Sequence, residues 1–166
     1  MLGSCYIPPS ASHQLRRLTA DGLPLSAERR FGELRRQVGL AAAIGPVILA
    51  GDFNARIGVE PAPSPPAAPS GRTRGCTDTT VTAHGRLLAQ LSADTGLVLC
   101  TGHAPGDEAA LPTWHRGMSA TRLDHMLVSP AIYSAISSCT VGALRDGSGK
   151  RAEEQERRGE EVVLRG

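Results

Sequence analysis

The sequence contains few aromatic residues: one Trp, two Tyr and two Phe among 166 residues. The hydrophobic interior must therefore be built from Leu, Val, Ile and Ala. A hydrophobic fraction of 40 % still predicts a folded chain. At this length the chain forms one domain at most, and it is long enough to bury a substantial core.

The chain also lacks long apolar runs and a strong excess of charge. No stretch approaches the ~18 apolar residues that a membrane-spanning helix needs, and the N-terminus lacks a charged region followed by an apolar one. These absences predict an intracellular protein, nuclear or cytoplasmic, with no membrane partner. The formal net charge of +2 is too small to indicate nucleic-acid binding by itself.

Cysteine is scarce, and its spacing matches no common metal or redox motif. The four residues are far apart in the sequence and form no C-x-x-C pair. Three of them lie in or beside apolar runs that have the character of strands. The pattern favours buried free thiols over disulfides or zinc ligands. The four are Cys5, Cys76, Cys100 and Cys139.

The most informative segment is the apolar run Val47–Ala50, which ends in Gly51-Asp-Phe-Asn54. Four branched or small apolar residues predict a strand that is buried on both faces. Side chains two apart in extended chain share a face, so Asp52 and Asn54 can point at one place. A carboxylate there can bind a metal or take a proton from water, and the amide can donate to a phosphate oxygen. An ordinary turn at a strand end uses the same residue types.

Two amphipathic helices and several short strands are predicted along the chain. Ser26 is a suitable N-cap for a helix that ends at Gly45-Pro46. Thr82 opens a second helix, which Gly96 closes as a left-handed C-cap. The predicted strands are Leu2–Ile7, Val47–Ala50, Leu97–Cys100, Thr113–Trp114, Leu123–Val128 and Cys139–Leu144.

Two segments have a composition that does not favour packing. Residues 60–75 contain five prolines and predict an exposed loop, partly of polyproline type. Residues 145–166 form a charged tail with one apolar patch, Val162-Val163-Leu164, and predict a frayed helix or disorder.

Asp124 is the second acidic residue of interest because it interrupts the apolar strand Leu123–Val128. A buried and unpaired carboxylate would cost several kcal/mol, so this residue needs a cation, a metal or a hydrogen-bond donor. Together with Asp52 and Asn54 it completes a set of three polar groups in an otherwise apolar sheet. Such a set suits hydrolysis of a phosphodiester.

Five segments, taken in this order, resemble the endonuclease/exonuclease/phosphatase superfamily, which includes DNase I-like nucleases and the endonuclease domains of retrotransposons. The resemblance implies an α+β fold, in which a two-layer β-sandwich is flanked by helices, and hydrolysis of phosphodiesters with Mg²⁺ or Mn²⁺. It covers residues 1–144 as one partial domain. The segments are Tyr6-Ile-Pro-Pro9, Gly51-Asp-Phe-Asn54, Gly96-Leu-Val-Leu99, Pro112-Thr-Trp114 and Arg122-Leu-Asp-His-Met-Leu-Val-Ser129.

The resemblance implies a role for four residues. Asp52 matches the residue that positions or deprotonates the attacking water, and Asn54 matches a neighbour that holds the phosphate and, in some members, the metal. Asp124 matches the acid that orients the catalytic histidine. Tyr6 matches a tyrosine that reaches the phosphate, although it also reads as an aromatic residue on an edge strand.

The sequence departs from the family pattern at both ends. The family's early strands, which carry an Asn and a metal-binding Glu, have no counterpart before Leu2. Asp146-Gly-Ser148 stands where Ser-Asp-His is expected. We therefore expect an incomplete domain, truncated at both ends, in which metal binds weakly and catalysis is lost.

The function expected from this resemblance is that of a fragment of a metal-dependent endonuclease, of retroelement origin, that contacts the phosphate backbone of nucleic acid. Two alternatives stay open: a phosphatase of inositol phosphates or phospholipids, and a domain that binds a partner without catalysis. The oligomeric state is not predicted.

The histidines and the tryptophan are assigned secondary roles. His125 is predicted to lie on the strand face opposite Asp124, as a packing or surface residue. The other four histidines lack the spacing of metal ligands and are not predicted to be catalytic. Trp114 reads as a core residue or as a platform for stacking a base. The other histidines are His13, His84, His103 and His115.

Overall fold

A four-stranded mixed sheet lies at the centre of the computed structural model, which describes residues 1–8, 26–58, 75–116, 118–139 and 162–164. The proline-rich loop predicted at 60–75 lies outside the described residues, except for its last residue. Most of the predicted tail does so too. Within the described ranges, no helix is long and apolar enough to cross a membrane.

Eight strands and three helices make up the described part of the chain. In chain order they are β1 (Leu2–Tyr6), α1 (Ala27–Ala42), β2 (Ile48–Asp52), α2 (Ala83–Thr95), β3 (Val98–Leu99), β4 (Trp114–Arg116), β5 (Ser119–Thr121), β6 (Asp124–Val128), α3 (Pro130–Tyr133), β7 (Ile136–Cys139) and β8 (Val162–Leu164).

The central sheet has the strand order β1-β2-β6-β3. β1 runs parallel to β2, whereas β6 runs antiparallel to both β2 and β3. The connection between the parallel strands β1 and β2 includes α1, as such a crossover requires. A mixed sheet with separate helices belongs to the α+β class, which confirms the predicted fold class.

Each face of the central sheet carries its own hydrophobic cluster. On one face, α1 and α2 pack over residues such as Leu49 and Leu127. The opposite face packs Met126 and Val128 against Ile136 of β7. The first cluster consists of Ile7, Phe31, Val38, Val47, Leu49, Phe53, Ala55, Ile57, Leu88, Leu91, Leu97, Leu99 and Leu127.

Capping residues mark the start of both long helices and the end of α2. The Ser26 side chain accepts a hydrogen bond from the backbone N–H of Arg29, and the Thr82 hydroxyl accepts one from Gly85. These N-caps satisfy donors that have no partner within the helix. Gly96 ends α2 with a φ of 68°, the left-handed conformation that glycine adopts at low cost.

The C-terminal part of the chain differs from the prediction. Of the strand predicted at Cys139–Leu144, only Cys139 lies within the described residues, where it is the last residue of β7 (Ile136–Cys139). Val162–Leu164 is a strand paired antiparallel with it, so the prediction of helix or disorder is wrong for these three residues. The physical reason is non-local, because β8 gains its backbone hydrogen bonds from a strand more than twenty residues away.

The cysteines are free, as predicted. Cys100 and Cys139 are buried, and burial raises the pKa of both thiols. Cys5 and Cys76 are only partly buried, which corrects the prediction for Cys5.

We expect Gly51→Ala to destabilise the fold severely. Gly51 has a φ of 151°, and a Cβ there would lie 1.9 Å from the backbone oxygen of Cys5 in β1. Overpacking of this kind costs about 3 kcal/mol of the free energy of unfolding, which urea denaturation would measure. Gly3→Ala is the matched control, because its Cβ would approach Leu49 no closer than 3.7 Å. Equal stability of the two variants would contradict the close packing of β1 on β2.

Candidate functional site

Three of the predicted site residues form a row across one end of the central sheet. Asp52 is the last residue of β2 and pairs directly with Asp124, the first residue of β6. On its other side Asp52 pairs with Tyr6, the last residue of β1. Directly opposed residues of an antiparallel pair have Cβ atoms about 4.5–5.5 Å apart. The structure therefore brings the two carboxylates together.

This row lies on the sheet face that is turned away from α1 and α2. Alternate residues of a strand point to opposite faces. Leu49 and Leu127 pack beneath the helices, so Asp52 and Asp124, which are offset from them by an odd number of residues, point to the other face. Tyr6 is 61 % exposed at the rim of this face.

Asn54 joins the row through a turn rather than through extended chain. Its φ of 47° is left-handed, so the prediction that Asp52 and Asn54 share the face of one strand is wrong. The Asn54 backbone N–H donates to Oδ1 of Asp52 at 2.8 Å, and its side-chain Nδ2 donates to the Ile7 carbonyl at 2.9 Å. Asn tolerates this conformation because its short polar side chain can bond locally. The turn thus holds the carboxamide beside the carboxylate and the end of β1.

Asp124 is positioned by groups that the sequence analysis did not identify. The Thr113 hydroxyl oxygen accepts hydrogen bonds from the backbone N–H groups of Leu123 and Asp124, at 3.0 and 3.1 Å. Arg122 Nε donates to the Asp124 carbonyl at 2.7 Å. The same guanidinium forms a buried ion pair with Asp107 at 2.8 Å. The sequence does show Arg122 two positions before Asp124. Its ion-pair partner Asp107 lies 15 residues earlier in the chain, and sequence pattern does not link the two residues.

The environment of Asp52 raises the pKa of its carboxyl above the ordinary value. Partial burial raises the pKa of this carboxyl, and the neighbouring charge of Asp124 raises it further. The hydrogen bond from the Asn54 N–H acts in the opposite direction without cancelling these effects. The Asp52 and Asp124 carboxylates repel each other, and a cation bound between them would relieve that repulsion.

The donor set around Asp52 fits a hydrated Mg²⁺ or Mn²⁺. The ion would be held by Asp52 and Asp124 with the carboxamide oxygen of Asn54, and Mg²⁺ commonly binds to one or two carboxylates while keeping several waters. Across the described ranges, no group of three or more His, Cys, Asp or Glu residues is placed to enclose a metal. The residues therefore suit an open, weakly held cation rather than a closed metal cage.

Two of the histidines direct ring nitrogens at backbone groups next to the site. His125 lies on the face opposite Asp124, is 3 % exposed and places Nε2 2.8 Å from the Ala55 carbonyl. His84 is also buried and places Nδ1 3.3 Å from the Asn54 carbonyl. The position predicted for His125 is confirmed. The burial of His84 was not predicted, because it arises when the first turn of α2 packs against Phe31 of α1 and the segment after β2.

Trp114 is exposed, so its interpretation as a core residue is wrong. It lies in β4, which pairs only with β5 and forms a hairpin separate from the central sheet. Its exposed fraction is 41 %, and His115 and Arg116 beside it are exposed as well. The hairpin starts at Thr113, the residue that binds the backbone of Asp124. An exposed aromatic and a basic side chain therefore lie close in sequence to the site.

Comparisons with known proteins point to one family. A family model described as the Endonuclease/Exonuclease/phosphatase family matches residues 3–144. Among solved structures the chain is similar to a 3'-5' exonuclease (NExo) from Neisseria meningitidis, at 22 % identity and a TM-score of 0.48. The match covers 68 % of this chain and 44 % of that exonuclease, so this chain spans less than half of its length. The search of curated protein sequences gave no match.

We expect Asp124→Asn to lower the pKa of Asp52. The substitution removes the adjacent negative charge, which is one of the causes that raise this pKa, and keeps a polar side chain of similar size. Carboxyl ¹³C chemical shifts followed through an NMR pH titration would measure the change. Asp94→Asn, which removes a carboxylate from the last turn of α2, at the opposite end of that helix from His84, should leave the titration of Asp52 as it is. An unchanged Asp52 pKa in the Asp124 variant would show that the two carboxylates do not interact.

Proposed function

The chain belongs to the endonuclease/exonuclease/phosphatase family, and from this premise we propose that it is a metal-dependent phosphodiesterase domain that binds nucleic acid and hydrolyses it slowly. The observation that carries the proposal is the direct pairing of Asp52 with Asp124 at the end of two adjacent strands. A pair of carboxylates with a neighbouring carboxamide is suited to a divalent cation and a phosphate group.

The residues of the site divide the chemistry between them. A bound Mg²⁺ or Mn²⁺ would neutralise charge that develops on the phosphate oxygens. Asp52 lies between Tyr6 and Asp124 in the row, where its carboxylate can accept a proton from the attacking water. Asn54 donates one amide hydrogen to Ile7 and retains a second that can donate to phosphate. Tyr6 offers its hydroxyl at the exposed rim of the same row.

Slow turnover is proposed because the sequence contains no Ser-Asp-His, the motif that supplies an imidazole in the family it resembles. The two imidazoles nearest to the Asp52–Asn54 turn direct nitrogens at backbone carbonyls instead. A general acid or base typically contributes about 10²–10⁴-fold to the rate. The retroelement origin suggested by the sequence stays a prediction.

The exposed hairpin favours nucleic acid over an inositol phosphate or a phospholipid as the ligand. Trp114 offers a flat surface on which a base can stack, and Arg116 offers a cation for the backbone. Stacking of a base on an aromatic side chain contributes about 1–3 kcal/mol. A small phosphorylated ring has no base to stack on this platform.

We expect the purified chain to bind Mn²⁺ through Asp52. Asp52→Asn keeps an oxygen that can accept the Asn54 N–H but removes the charge. The affinity should fall by about tenfold or more, since even loss of an outer-shell partner can have that effect. Electron paramagnetic resonance of free Mn²⁺ would measure binding, with Asp94→Asn as the control.

Nicking of supercoiled plasmid in Mn²⁺, measured alongside, should be slow in the parent chain and should fall further in the Asp52→Asn variant. Equal Mn²⁺ affinity in the Asp52 and Asp94 variants would contradict the metal site. Rapid nicking that Asp52→Asn abolishes would contradict slow turnover while supporting the site.

We expect Trp114→Ala to weaken binding of a single-stranded oligonucleotide by about 1–3 kcal/mol, because one stacked base is lost. Trp114 is the single tryptophan of the chain, so quenching of its fluorescence reports binding directly in the parent protein. Fluorescence anisotropy of a labelled oligonucleotide would compare the variants.

Met118→Ala is the matched control, because Met118 is fully exposed on the same hairpin. Equal loss of affinity in the two variants, or none in either, would contradict stacking on Trp114. Binding of inositol hexakisphosphate in competition with the oligonucleotide would favour the phosphatase alternative.

A further inference from the structure

The backbone of the Asp52–Asn54 turn continues into two carbonyl groups that face buried imidazoles. The Asn54 carbonyl lies 3.3 Å from Nδ1 of His84, and the Ala55 carbonyl lies 2.8 Å from Nε2 of His125. The two histidines come from different elements, α2 and β6. The carbonyls of two consecutive residues, Asn54 and Ala55, are thus contacted by imidazoles from two different elements.

The partners of His125 determine its tautomer. A carbonyl oxygen only accepts hydrogen bonds, so Nε2 carries the proton and donates it to Ala55. Nδ1 lies 3.1 Å from the hydroxyl oxygen of Thr101, which can donate to it. The ring also packs at a tilt against Phe53, with centroids 6.3 Å apart. His125 therefore joins β6, the segment after β3 and the turn in one buried cluster.

His84 approaches the turn from the first residues of α2. It lies 4 % exposed beside Phe31, with ring centroids 5.9 Å apart. Because Nδ1 faces a carbonyl, the proton lies on that nitrogen. The start of α2 is held to the same segment by Thr82, whose N–H donates to the Arg56 carbonyl at 2.9 Å and whose hydroxyl accepts from the Arg56 N–H at 3.1 Å.

The turn depends on such contacts because its conformation is not the one that an isolated chain prefers. Asn54 has a φ of 47°, and non-glycine residues adopt this region only when surrounding structure supports it. The orientation of the peptide after Asn54 decides where its carboxamide lies relative to Asp52. A buried carbonyl without a donor would favour rotation of that peptide.

We infer that His84 and His125 are positioning residues that hold the Asp52–Asn54 turn in the geometry needed for cation and phosphate. This inference rests on the proposed function, because the geometry of the turn is important for function only if the site binds a cation and a phosphate. The two imidazoles act through the backbone carbonyls of Asn54 and Ala55 and need not touch the substrate.

The experiment compares variants that keep or remove the donor at each histidine. Gln places an amide N–H near the position of Nε2, so His125→Gln retains the donor that His125→Leu loses. Asn does the same for Nδ1 in His84→Asn, against His84→Leu. Ser92→Ala is the matched stability control, because the Ser92 hydroxyl makes an equally buried bond to the Leu97 carbonyl at 2.6 Å, away from the turn.

The first readout is hydrogen exchange of the Asn54 amide, measured relative to the β6 amides, which report overall opening. We expect relative protection to fall by about fivefold in each Leu variant, because one hydrogen bond contributes roughly 1 kcal/mol. The Gln, Asn and Ser92 variants should keep the protection of the parent. A fall of the same size in Ser92→Ala, or no rescue by Gln and Asn, would overturn the inference.

The second readout is Mn²⁺ binding by the full chain, which separates this inference from the proposed function. Affinity that falls with Asn54 protection supports positioning for the cation. If a Leu variant loses protection of the Asn54 amide but binds Mn²⁺ as tightly as the parent, the histidines do not position the turn for the cation. If the parent chain itself does not bind Mn²⁺, the proposed metal site fails, while hydrogen exchange still decides whether the histidines hold the turn.

Discussion

Antiparallel pairing of β2 with β6 is the interaction on which the rest of the structure depends. Its register sets Leu49 against Leu127 in the helix-covered core and, with the same spacing, Asp52 against Asp124 at the end of the sheet. A shift of either strand by one residue would turn the leucine of that strand out of the core. The apolar contacts that stabilise the fold thereby also select the pairing of the two carboxylates.

The pairing of Asp52 with Asp124 lowers the stability of the fold when both carboxyls are charged. Burial and the charge of Asp124 raise the pKa of Asp52 in the folded state. The folded protein therefore binds that proton more tightly than the unfolded chain does. The resulting stabilisation is present below the unfolded-state pKa and is lost as the pH rises through the folded-state pKa. At neutral pH the sheet holds two repelling acids in place, which is typical of a site arranged for a ligand rather than for stability.

Local features were predictable where local physical chemistry decides them. Ser26 and Thr82 cap helices because their hydroxyls accept backbone N–H groups close in sequence, and Gly96 ends α2 because glycine adopts a left-handed φ at low cost. The apolar run before Asp52 predicted a strand for a similar reason, but the expected burial on both faces was wrong, because Leu49 is the one residue of β2 that is fully buried. Features that depend on distant partners were missed. Trp114 lies in a hairpin that forms a sheet of its own and leaves the indole exposed, and sequence pattern alone could not show this.

The sequence by itself determined the α+β class, the order of the main elements and the identity of Asp52, Asn54 and Asp124 as unusual polar residues in an apolar setting. Only the tertiary structure decided that Asp52 and Asp124 are neighbours, that Asn54 reaches them through a left-handed turn, and that His84 and His125 lie beneath that turn. The reason is physical: composition and periodicity act over a few residues, whereas strand register and side-chain burial are set by contacts between segments that are about thirty to eighty residues apart.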